Sequence, residues 1–259
     1  MNQPDFLANS QTALTIDLNA DVAEGCGQDD KLMRIVSSAN ICCGLHAGSP
    51  SEMLKILKLA KQHGVRVGAH PSFDDRENFG RSNQQLPDDE LQAVLLYQLG
   101  AITALCDWVG VTLEYVKPHG ALYNQAAKDA HLANLIAATI KQFNPKLALM
   151  GLSGSELIKA AHAHGLVAES EVFADRRYED NGALVARSQA NAVIASDEEA
   201  LAQVLHMVKN HMVTSVNGKN IAVQADSVCL HGDSEHAVQF AKQIQTTLQQ
   251  QQIAITATK

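Results

Sequence analysis

Short β-rich runs alternate with longer helical patterns along the whole chain. The runs fall at 14–19 (LTIDLN), 38–43, 65–69 (VRVGA), 112–116 (TLEYV), 147–152 (LALMGL), 166–173 and 226–230. Between them, helical patterns occupy about 29–37, 51–63, 88–109, 126–143, 154–164, 198–212 and 234–250. Ser49-Pro50-Ser51-Glu52 supplies a cap and an acidic first turn to a helix that ends on Gly64, and Pro87-Asp88-Asp89-Glu90 starts the next one. Seven strand–helix alternations imply parallel strands joined by crossover helices.

An open doubly wound sheet and a closed barrel both use that alternation. The first strand runs into Asp17-Leu18-Asn19-Ala20-Asp21 rather than a GxGxxG turn, and no Walker-type phosphate loop is present. Polar residues collect instead at the C-terminal ends of many strands, as they do when all strand ends face one mouth. The expectation is an α/β fold: a single TIM-like β/α barrel of seven parallel strands over 13–250. Residues 1–12 and 251–259 are expected to be tails.

Composition narrows the partners. The 259 residues are 46% hydrophobic, enough for a core, but only 4% aromatic, which disfavours nucleic-acid stacking surfaces. A net charge of −8 without a basic block makes a nucleic-acid backbone an unsuitable partner. The N-terminal residues resemble neither a secretory nor a transit signal, and no apolar stretch is expected to span a membrane. Five cysteines, at 26, 42, 43, 106 and 229, form no CxxC pair and suit a reduced, cytoplasmic protein. Cys42 and Cys43 point to opposite faces of one strand, so they read as small buried residues rather than a thiol site.

Four of eleven histidines share a local grammar in which an apolar strand is followed by histidine and then a small or turn-forming residue. They are His46, His70, His119 and His231. One such histidine is more often structural than catalytic; four, each closing a different strand, point to a shared site. On the first strand Asp17, Asn19 and Asp21 are spaced i, i+2, i+4 and so share a face. Lys117 shares a face with His119 and is read as an oxyanion partner or as an ion pair with Asp17 or another acid. Arg81 and Arg176 lie in long loops suited to binding a carboxylate or phosphate. His46, His70 and Asp17 would make a histidine–carboxylate set for a divalent metal, although no spacing is a dedicated metal motif and no GxSxG elbow is present.

The blocks DLNADVAEG (17–25), CCGLHAG (42–48), GAHPSFDD (68–75), VKPHGALYN (116–124), EVFADRRYEDNGALVAR (171–187) and LHGD (230–233) together resemble the LamB/YcsF family. The resemblance runs from about residue 14 to 250. It implies a seven-stranded barrel similar to polysaccharide-deacetylase-like domains. It also implies ATP-dependent hydrolysis of the lactam of 5-oxo-L-proline to L-glutamate, as the hydrolytic subunit of a 5-oxoprolinase with partner subunits B and C. In that chemistry Asp17, His46, His70, Lys117 and His119 are the catalytic candidates, and Asn19, Asp21, Arg81, Arg176, His231 and Asp233 the substrate-binding ones. ATP would be a co-substrate used with the partners. Ala23 stands where the family pattern has glycine, so the turn there is expected to avoid a left-handed conformation or to distort. Ser82 follows NFGR where a second basic residue is common. The alternatives are a metal-dependent amide or N-acetyl deacetylase and a non-catalytic subunit that binds the substrate.

Overall fold

The structure is a computed structural model that describes residues 14–230 and 235–258. The expected N-terminal tail, His231 and Asp233 lie outside the described residues. In chain order the elements are β1 (Thr15–Val22), α1 (Asp29–Leu32), β2 (Ser38–Cys42), α2 (Pro50–His63), β3 (Arg66–His70), α3 (Asp88–Val109), β4 (Leu113–Val116), α4 (Gly120–Ala126) and α5 (Ala130–Phe143). Then come β5 (Ala148–Leu152), α6 (Glu156–Ala163), β6 (Ala168–Phe173), α7 (Asp197–Asn210), β7 (Met212–Thr214), β8 (Asn220–Ala222), β9 (Ser227–Leu230), α8 (Glu235–Gln250) and β10 (Ala254–Ile255).

Strands β1, β2, β3, β4, β5, β6 and β9 pair in parallel in that order, and β9 pairs back onto β1. The result is a closed seven-stranded barrel ringed by helices, as the alternation predicted. Burial on both faces explains why β2, β3, β5 and β9 are covered along their whole length.

Several departures have local causes. The helix expected over 126–143 starts only at Ala130, because Asp129 accepts the N–H groups of His131 and Leu132 and caps α5, and a separate helix, α4, precedes it. The expected 29–37 helix shrinks to one turn. Residues 212–222 form an antiparallel hairpin, β7–β8, outside the barrel. The C-terminal stretch expected as a tail contributes β10, which pairs with Thr15 and Ile16 of β1. Ala23 adopts a left-handed conformation, φ 63°, so the side chain is tolerated there without the expected avoidance. Helix α3 is long and apolar enough to cross a membrane by length and composition. Here it lays Leu91, Leu95, Leu99 and Ile102 on the barrel wall.

The lumen is filled by a ladder of polar groups. At its lower end Arg66 forms a bidentate pair with Glu169, at 2.9 and 2.6 Å, and lies 4.4 Å from the centre of the Tyr115 ring. Tyr115 reaches across so closely that a Cβ on Gly68 would meet its ring at 2.2 Å, which is why β3 carries glycine there. Above it Tyr115 donates to Asn40 Oδ1 at 2.6 Å, and Asn40 donates to Asn19 and Asp21. Each rung satisfies the one below, as buried polar groups require.

Candidate active site

The ladder ends in a cavity of about 710 Å³ at the C-terminal mouth, lined by Asp21, Glu24, His70, Arg81, Lys117, His119, Arg176 and the loops around them. This is the end of a β/α barrel where side chains from several strands converge. His46 follows β2, His70 ends β3, and Lys117 and His119 follow β4. Glu24 follows β1 by two residues. The ligand atoms of Glu24, His46, His70 and His119 all lie within 4.8 Å of one another.

Hydrogen bonds fix how each imidazole faces. His70 Nδ1 lies 2.7 Å from the Lys117 carbonyl and His119 Nε2 lies 2.9 Å from the Phe79 carbonyl. A carbonyl only accepts, so both nitrogens carry hydrogen. That leaves His70 Nε2 and His119 Nδ1 facing each other at 2.9 Å. The Ser72 hydroxyl donates to the Phe73 carbonyl, so His46 Nδ1 donates to Ser72 Oγ at 2.8 Å and its Nε2 is left bare beside Cys42 Sγ. Ser72 is itself clamped by Gln98 of α3, which binds its N–H and its carbonyl. The rings of His46 and His119 stack at 3.8 Å, and Phe79 stands edge-on to both.

Burial lowers the basicity of His46 and His119. His119 is pushed down to about 3, by burial first and by His70 next. His46 moves in the same direction, again through burial and then its neighbouring histidines. Two bare imidazole nitrogens 2.9 Å apart repel unless a positive charge touches both. A proton on His70 Nε2, shared with His119 and with Asp21 Oδ2 at 3.3 Å, is one such charge. A metal ion would be the other, since each bare nitrogen has a lone pair to give it. Backbone carbonyls that orient metal-binding histidines are the usual outer support of such a site. The donor set therefore fits a first-row divalent ion.

Beside the histidines lies a buried charge cluster. Lys117 Nζ is 2.6 Å from Glu171 Oε1 and 3.0 Å from Asp21 Oδ1, and it also donates to Asn19 at 3.2 Å. Burial opposes its charge, yet Asp21, Cys229 and Glu171 together raise Lys117 well above the ordinary lysine range. Burial likewise opposes ionisation of Asp21, but His70 and Lys117 outweigh it and hold the carboxyl well below its usual range. The second oxygen of Glu171 accepts the Tyr123 hydroxyl at 2.7 Å.

Most of the expected residues meet here, but Asp17 does not. It sits lower in the lumen, where its carboxylate accepts from Ser37 at 2.6 Å, Ser38 at 2.7 Å and Ser227. Asp21 and Glu24 stand at the cavity instead, Glu24 within the donor cluster. Lys117 pairs with Asp21 and Glu171 rather than with Asp17. Arg176 lines the cavity, yet its guanidinium also ties down its own loop by donating to the carbonyls of Ala192 and Val185. Arg81 lines the cavity with its guanidinium 5.0 Å from the Phe79 ring centre. The sequence reading missed Glu24 and Glu171. Glu169 and Glu171 repeat on β6 the i, i+2 pattern that singled out β1, so the signal was there. Burial keeps the Cys42 thiol well above its usual range and Cys43 at about 12, so neither is a reactive thiol.

Residues 16–259 match the LamB/YcsF family. A protein of Histophilus somni (strain 129Pt), named as the A subunit of 5-oxoprolinase, is 60% identical over 242 residues, which cover 93% of this chain and 98% of that one. The chain belongs to the LamB/YcsF family. The crystal structure of a lactam utilization protein from Thermus thermophilus superposes with a TM-score of 0.89 at 40% identity, covering 95% of this chain and 100% of that chain. A CE4 family pseudoenzyme mutant matches with a TM-score of 0.50 at 12% identity, over 95% of this chain and 66% of that chain, and so shares the barrel alone.

Proposed function

We propose that this LamB/YcsF chain is the hydrolytic subunit of an ATP-dependent 5-oxoprolinase, opening the lactam of 5-oxo-L-proline to L-glutamate in the cytoplasm. The observation that carries the reading is the juxtaposition, in one mouth, of a four-residue donor cluster with a charge-fixed carboxylate. Relatives named as the A subunit of 5-oxoprolinase supply the substrate class. The word "subunit" in those names, and the lack of a nucleotide motif in this sequence, support partner subunits B and C that handle ATP.

Hydrolysis adds water across the ring C–N bond: the water oxygen joins the carbonyl carbon, and the nitrogen leaves carrying a proton. Asp21 is ionised and reaches the cavity beside His70, so it orients the water and accepts its hydrogen. Lys117 holds Asp21 in place and sets a positive charge against the developing oxyanion. The proton that Asp21 takes from the water passes on to the leaving nitrogen, since imidazoles that hold a cation have no proton to give on that side. Glu24, His46, His70 and His119 would hold a divalent cation, which when bound polarises water or a carbonyl oxygen.

Measuring glutamate formed from 5-oxoproline and ATP by the chain with and without its partner subunits tests the reading. Formation only with chain, partners and ATP together is expected; no glutamate in any combination overturns it. A metal-dependent amide hydrolase would use the same donor cluster, and turnover of an N-acetyl substrate without ATP or partners would favour that instead.

A further inference from the structure

Helix α3 buries a face of leucines with Ile102 and Cys106, and one amide, Gln98, sits among them with no exposed surface. A buried amide is tolerated only where its polar groups find partners. Gln98 Oε1 accepts the Ser72 N–H at 2.9 Å, while Nε2 donates to the carbonyls of Ser72 at 2.8 Å and Val94 at 3.0 Å. A main-chain N–H only donates and a carbonyl only accepts, so the amide has a single orientation. For packing alone an apolar side chain would serve, as it does at Leu95 and Leu99. What glutamine adds is a grip on both main-chain groups of one residue.

That residue carries the grip to the donor cluster. Ser72 lies two residues beyond His70, the end of β3, and is itself fully buried. Its hydroxyl gives its hydrogen to the Phe73 carbonyl at 2.8 Å and so turns a lone pair to His46 Nδ1, also at 2.8 Å. His46 then carries hydrogen on Nδ1, and Nε2 is the ring nitrogen left to bind a cation. Cys42 does not make that choice, because its thiol, 3.0 Å from Nε2, can either give or take a hydrogen. A Ser72 free to rotate could instead donate to Nδ1. The ring hydrogen would then move to Nε2 and close that nitrogen to a metal.

We infer that Gln98 is a positioning residue: by clamping the Ser72 main chain it selects the Nδ1–H form of His46 and keeps Nε2 open. The cation that Nε2 would bind rests on the reading proposed above, whereas the tautomer is a property of the metal-free chain.

Two measurements on the full chain at one neutral pH decide the matter. Long-range ¹H–¹⁵N spectra of the ¹⁵N-histidine-labelled, metal-free protein report which nitrogen of His46 carries hydrogen, and titration with Zn²⁺ reports affinity. The informative variant is Gln98→Met, which keeps the length of the side chain and removes its hydrogen bonds. The expected result is Nδ1–H in the native chain, a mixture of tautomers in the variant, and Zn²⁺ binding weakened about tenfold or more. Gln98→Asn, too short to reach both Ser72 groups, should act in the same direction and decides the question if Gln98→Met does not fold. In a Ser72→Ala background, which lacks the next link, replacing Gln98 should change the Zn²⁺ affinity no further. A purely structural glutamine would lower the melting temperature and leave the His46 tautomer alone. An unchanged tautomer in the folded variants, or Nε2–H in the native metal-free chain, therefore overturns the proposal. Should the native chain bind no Zn²⁺, the cation reading fails while the tautomer still decides this one.

Discussion

His70 Nε2 and His119 Nδ1 face each other 2.9 Å apart, each imidazole having already given its other nitrogen's hydrogen to a main-chain carbonyl. Either a proton or a metal ion must sit against them. The two compete, so divalent-metal binding should release protons and weaken as pH falls. Titration of chelator-treated protein with Zn²⁺ in two buffers of different ionisation heat measures the protons released. His70→Ala and His119→Ala should each lower affinity by at least about 100-fold, and an unchanged affinity would remove the cation reading.

Lys117 bridges two carboxylates on its side of the mouth, the buried Glu171 and the partly buried Asp21. Lys117→Met would leave negative charge buried and uncompensated, a loss of about 3–5 kcal/mol. Adding Glu171→Gln removes one of those charges and should restore part of that stability without restoring turnover. Urea unfolding of both variants checks this; equal stability of the single variant and the native chain would show that the cluster is not an interdependent one.

Gly80 is left-handed, φ +66°, and a methyl group there would come within 2.9 Å of both the His119 ring and His46 Cβ. Its carbonyl also accepts the Ala121 N–H at 2.8 Å, so the loop cannot easily retreat. Gly80→Ala should therefore splay the stacked histidines, cutting metal affinity and glutamate formation about tenfold or more while costing about 1–3 kcal/mol of stability. Metal titration and melting, compared with the native chain, separate the two effects.

The barrel was legible because its seven strands are apolar runs bounded by turn residues, and each run lies on a barrel strand. The β7–β8 hairpin was not, since three-residue strands leave no periodicity to read. Likewise β10 is only two residues long and takes its meaning from pairing with β1. At the site, position at a strand end identified His46, His70, Lys117 and His119. Depth within the lumen was invisible: Asp17, Asn19 and Asp21 share a face, but each step of two residues climbs about 6.6 Å. Only the topmost, Asp21, lines the mouth.

Asp17 tests that distinction directly. Burial raises its pKa from 3.8, while the Ser227, Ser37 and Ser38 hydroxyls and Arg66 pull in the opposite direction without prevailing. A carboxyl raised in the folded state is penalised when ionised. The penalty is absent well below pH 3.8, grows as pH rises past that value, and is complete once pH exceeds the raised folded-state pKa. Asp17→Asn cannot ionise and escapes it. The stability of the variant relative to the native chain should therefore improve as pH increases across that window, with turnover retained because the residue lies below the mouth. Unfolding measured from about pH 3 to 8, alongside glutamate formation at neutral pH, checks both parts. Loss of turnover in a folded, metal-binding Asp17→Asn protein would return Asp17 to the chemistry.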